Sequence, residues 1–75
     1  MRYTDRITIE PGKRGGRPCI RGLRISVYDI LEQLASGEST ATILKDFPEL
    51  QIEDIQAALQ FAADRERHLG ELNVS

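Results

Sequence analysis

Apolar residues recur along the chain with two different periods. Ile7-Thr8-Ile9 alternates β-branched residues and ends at Glu10-Pro11-Gly12, a turn signature, so a short strand is expected there. Arg17-Pro18-Cys19-Ile20 is a second extended piece, because Pro18 biases the residue before it away from helix. Arg21-Gly22 reads as a turn into Leu23-Arg24-Ile25. From Ser26 the period becomes helical: Val27, Ile30, Leu31 and Leu34 follow i, i+3, i+4, i+7 spacing, and Ser26 with Asp29 forms a capping box with Asp in place of Glu or Gln. Gly37 stops this helix, which the pattern places over about Val27 to Ser36.

Ser39 or Thr40 caps a short second helix with Ile43, Leu44 and Phe47 as its apolar positions, and Pro48 prevents its continuation. A third helix is expected from near Ile52 to about His68, with Glu53 and Asp54 in the first turn, where the macrodipole favours acids. Its buried stripe is expected to be Ile52, Ile55, Leu59 and Ala62, with Ala58 and Phe61 beside it as candidates for a dimer seam. The fold class expected is α+β, mostly α: a short amino-terminal β-hairpin or arm followed by a three-helix unit of helix-turn-helix type. It divides into a basic arm over 1–25, a tri-helical unit over 26–69 and a frayed tail over 70–75, one domain overall.

Size constrains the rest. A chain of 75 residues buries only about 60% of the surface its unfolded form exposes. Cys19 has no second cysteine to pair with, and one His and one Cys cannot complete a four-ligand zinc site. Oligomerisation is the remaining route to stability, so a homodimer is expected. No segment has the apolar length of a signal peptide or a membrane span, which points to a cytoplasmic protein without membrane contact.

Charge is divided between the halves. The net charge is −2, yet residues 1–25 hold seven Lys or Arg against two acids (+5) and residues 26–75 hold three against ten (−7). Lys13, Arg14, Arg17, Arg21 and Arg24 all lie between Gly12 and Ser26 with no acid among them. Such a stretch suits nucleic-acid phosphates, or the carboxylates of a protein partner through bidentate guanidinium contacts. Structurally, Arg21 and Arg24 are expected to pair with Asp29 or Glu32, or with acids on a second subunit, whereas Lys13 and Arg14, on a Gly-rich loop, have nothing local to neutralise them. The third helix opens with acids, which argues against inserting its start into a major groove and leaves the basic arm to carry any DNA contact.

The segment Gly16-Arg17-Pro18-Cys19-Ile20-Arg21-Gly22-Leu23-Arg24-Ile25, followed by Phe47-Pro48-Glu49-Leu50 and Glu53-Asp54-Ile55, resembles a bacterial family catalogued as domain of unknown function 433. The likeness runs over about residues 5 to 67. It implies a β-hairpin with a homeodomain-like helix-turn-helix unit, often dimeric, acting as the antitoxin of a toxin-antitoxin pair whose toxin is similar to PIN-domain ribonucleases. Two positions depart from the family pattern: Leu23 and Gln51 stand where it usually has Thr, and Thr or Ser.

The function expected is therefore that of a non-catalytic antitoxin that binds a PIN-like ribonuclease and represses its own promoter through operator DNA. A stand-alone DNA-binding regulator and a protein-protein adaptor are the alternatives. The third helix's end, through Arg65, Leu69 and Leu72, offers a seam for the protein partner. No cofactor, metal or catalytic residue is assigned. Gly12-Lys13-Arg14-Gly15-Gly16 lacks the Lys-Ser/Thr ending and following helix of a phosphate loop, Cys19 reads as a buried filler, and His68 as a helix-end residue. Glu49, Glu53 and Asp54 are accounted for by their place at a helix start.

Overall fold

The fold is that of a computed structural model, which describes the backbone of residues 2–72 and the side chains of residues 2–67. A short 3-10 helix, Tyr3–Arg6, leads into β1 (Ile7–Thr8), and a 3-10 turn at Arg14–Gly16 precedes β2 (Cys19–Ile20). Three helices follow: α1 (Val27–Ala35), α2 (Thr40–Asp46) and α3 (Ile52–Leu72). The protein is thus α+β and mostly α, with an antiparallel pair of strands in front of three helices.

In that pair Ile7 lies opposite Ile20 and Thr8 opposite Cys19. After β2 the chain reverses through Arg21-Gly22, where φ is +46° and +74°. Two successive positive φ values make a type I′ geometry, which Gly22 adopts freely and Arg21 adopts at a steric cost. The reversal brings Ile25 and Ser26 back along β2: the Ile20 N–H donates to the Ile25 carbonyl at 2.9 Å, and Cys19 pairs with Ser26. Strand and helix are therefore stitched together at Ser26.

Local chemistry sets the helix ends. Ser26 Oγ accepts from the Asp29 N–H at 3.0 Å while Asp29 Oδ2 accepts from the Ser26 N–H at 3.0 Å, which completes the capping box. Beyond α1, Gly37 (φ +95°) donates to the Leu34 carbonyl and Glu38 to the Gln33 carbonyl, the paired bonds of a Schellman end. Ser39 caps α2 through the Thr42 N–H. Helix α3 continues to Leu72, past the expected end near His68 and into the stretch expected to fray.

Ile20, Ile25, Val27, Ile30, Ile43, Leu50, Ile55 and Ala58 form one core, so residues from the front segment and from every helix share it. The front is part of the domain rather than an arm upon it, and its first 3-10 helix packs along α3. Helix α3 corrects the expected stripe. Asp54, Ile55, Ala57 and Ala58 face inward, whereas Ile52 and Leu59 are exposed at 43% and 48%. The reason is the front segment, which brings two guanidinium groups to Asp54 and lies against a helix face made shallow by alanines. Ala58, fully buried within the protomer, cannot be a dimer-seam residue; Phe61 is half-buried against the core. No helix among the described residues is long and apolar enough to cross a membrane.

Candidate functional site: an arginine clasp and an apolar groove

The cations of the basic segment meet different fates. At the Glu10–Lys13 turn, Lys13 Nζ bonds Glu10 Oε2 at 3.0 Å and also donates to the Gly22 carbonyl. Arg14, held at φ +52°, donates through Nη2 to both carboxylate oxygens of Asp29 at 2.9 and 3.0 Å. Both residues therefore have local anions, contrary to the expectation from a Gly-rich loop. The loop's left-handed residues fold it back over its own neighbours, which linear spacing does not display.

Arg21 pairs with neither Asp29 nor Glu32. It reaches across the domain to Asp54, with Nε 3.1 Å from Oδ1 and Nη2 3.1 Å from Oδ2, and Nη2 also donates to the Glu49 carbonyl at 2.6 Å. Arg6 closes on the same carboxylate from the other side, Nη1 to Oδ1 at 2.8 Å, and bonds Gln51 Oε1 at 2.8 Å. The remaining direction is taken by the Gln51 N–H, 2.8 Å from Asp54 Oδ2. Gln51 supplies no side-chain cap, so Asp54 satisfies the helix start from within.

Asp54 has no solvent exposure. Burial alone raises a carboxyl pKa, but the hydrogen bonds from Arg21, the Gln51 N–H and Arg6 outweigh it and hold Asp54 below the usual carboxylate value. A charge so enclosed is tolerable only because its partners surround it. About three turns farther along the same helix, Tyr3 donates its hydroxyl to Asp64, and that bond raises the Tyr3 pKa. The clasp is architectural: it anchors the front segment on α3 and leaves those charges little for a partner.

Arg17 and Arg24 remain without carboxylates. Arg24 is exposed, makes no hydrogen bond or ion pair among the described residues, and does not meet Asp29 or Glu32. Arg17 lies over the Tyr28 ring, 5.4 Å from its centroid. Arg65 repeats the arrangement over Phe61, again at 5.4 Å.

Between these two stacked pairs runs an apolar groove of about 400 Å³, lined by Pro18, Val27, Tyr28 and Leu31 on one wall and Phe61, Ala62, Arg65 and Glu66 on the other. The side chains of Leu69 and Leu72 lie outside the described residues. Sequence reasoning placed Arg17, Phe61 and Arg65 among candidates, but not in one place, and it missed Tyr28, whose exposure within a helical repeat was the available signal. It missed Arg6 and the role of Asp54 altogether. Cys19 is buried, with its thiol donating to the Arg17 carbonyl at 3.3 Å.

The uncharacterized protein y4eO of Sinorhizobium fredii (strain NBRC 101917 / NGR234) is 38% identical over 56 residues, which are 75% of this chain and 25% of that protein. The chain thus spans about a quarter of that relative's length. No solved structure matches. The model of a family described as protein of unknown function, DUF433, matches residues 7–62, from β1 to about the middle of α3, and the chain accordingly belongs to the DUF433 family.

Proposed function

We propose that this chain is a non-catalytic binding module, the antitoxin of a type II toxin-antitoxin pair that occupies a PIN-like ribonuclease and, with it, represses their shared promoter. The observation that carries the binding role is the pair Arg17 and Arg65, stacked on aromatic rings beside an open apolar groove and without an ion pair among the described residues, while five other cations are ion-paired within the fold. Arg and aromatic side chains around a desolvatable centre are the residue types that dominate protein interfaces. The antitoxin assignment itself rests on the family resemblance.

DNA contact as a stand-alone regulator is the second reading, supported by Arg24, whose exposed guanidinium has no internal competitor. On this reading Arg24 and Arg17 lower the salt dependence of operator binding when changed to Ala, while Lys13 and Arg14, already committed to Glu10 and Asp29, do so far less. Co-expression with an adjacent nuclease reading frame, read by growth rescue and co-purification, tests the antitoxin role; a nuclease equally toxic with and without this chain would reject it.

A further inference from the structure

The groove has features that specify its occupant. Its floor and walls are apolar through Val27, Leu31, Phe61 and Ala62, and Tyr28 is 53% exposed at its edge. An aliphatic or aromatic side chain placed there removes apolar surface from water at roughly 25 cal/mol per Å². The two flanking guanidinium groups lie over the Tyr28 and Phe61 rings, each 5.4 Å from a centroid, and neither is ion-paired among the described residues, so an N–H edge of each is open to a partner. Such an edge matches a carboxylate bidentately.

Acids nearby narrow the choice further. Glu66 lines the groove, and Glu32 accepts a 2.8 Å hydrogen bond from the Tyr28 hydroxyl beside it. A continuous polyanion laid along the groove would meet these carboxylates, whereas an isolated acidic side chain can reach Arg17 or Arg65 and avoid them.

We propose that the groove between α1 and α3 seats an apolar segment of a partner protein that carries a carboxylate, its hydrophobic side chain entering between Leu31 and Phe61 and its acid taking the N–H edge of Arg17 or Arg65. This deepens the protein-binding reading above and rests on it.

The test uses the full chain, labelled with nitrogen-15, and a fluorescent amphipathic helical peptide of Leu and Glu at heptad spacing, with a Leu/Lys twin. Saturable binding of the Leu/Glu peptide is expected, with amide shifts concentrated at residues 27–31 and 61–66. Arg17→Glu with Arg65→Glu weakens it at least about tenfold (about 1.4 kcal/mol) and admits the Leu/Lys twin, while Lys45→Glu on α2 leaves binding unchanged.

Equal binding of the twin by the wild-type chain, or full binding by a double variant that is folded by circular dichroism, would overturn the proposal. So would a single-stranded oligonucleotide shifting the same amides in place of the peptide, or the same shifts arising from raised protein concentration alone, which would make a second copy the occupant. Peptide binding without nuclease co-purification removes the antitoxin reading and keeps the groove; the reverse keeps the antitoxin and removes the groove.

Discussion

At one site Arg6 and Arg21 enclose a carboxylate without solvent exposure; at the other, Arg17 and Arg65 lie over aromatic rings and form no ion pair among the described residues. Arg17 and Arg21 are four residues apart, so composition does not separate them. Backbone does. Pro18 keeps Arg17 extended, at φ −74° and ψ 150°, and its side chain lies toward α1, whereas the left-handed turn at Arg21 swings that side chain toward α3. The same residue type thus secures the fold at one position and is presented to a partner at the other.

The sharpest break of this contrast is Asp54→Ala. It strands two partly buried guanidinium groups and opens the start of α3, and losing one member of a buried network costs about 3–5 kcal/mol. For so small a domain that is most of its stability, and urea titration followed by circular dichroism should show a midpoint near zero. If the midpoint moves by less than about a quarter of its value, the clasp is not the anchor described.

Acid should attack the same side. Because Asp54 is held below the ordinary carboxylate value in the folded chain, its contribution is complete above the unfolded pKa of about 3.9 and disappears as pH falls through the lower folded value. Urea midpoints measured from pH 5 downward should therefore drop below about pH 4. Asp54→Asn, weaker at neutral pH, should flatten that part of the profile; an unchanged profile would assign acid sensitivity elsewhere.

Smaller effects lie nearer the groove. Ser26→Ala removes the α1 cap and should cost about 1 kcal/mol in the same denaturation experiment. Arg65→Ala removes only a stacked contact, about 0.5 kcal/mol, and should leave the urea midpoint nearly unmoved while weakening partner binding. A large stability loss there would blur the division between the two sides.

How much of this was legible followed from distance along the chain. Ser26 and Asp29 are three residues apart and both ends of their box are visible as a spacing; so are Gly37 and the Ser39 cap. Arg21 and Asp54 are 33 residues apart, and no pattern within either segment names the other. The face of α3 was misread for a related reason. Periodicity ranked Ile52 and Leu59 as buried by size and polarity, but two arginines from outside the helix made Asp54 the better inward residue. The groove was legible only as scattered candidates, since Tyr28 and Phe61 come together, with Arg17 over the Tyr28 ring, through the reversal at Arg21-Gly22 and the crossing of α1 with α3.

The ion-paired circuit from Arg6 and Arg21 to Asp54 also fixes how the molecule comes apart. Peeling the first strands from the helices would expose an ionised group in a half-dismantled interior, so partial opening is penalised at both ends of the chain together. Amide protons of β2 and of the first turns of α3 should accordingly exchange with deuterium at closely similar rates, as members of one cooperative unit.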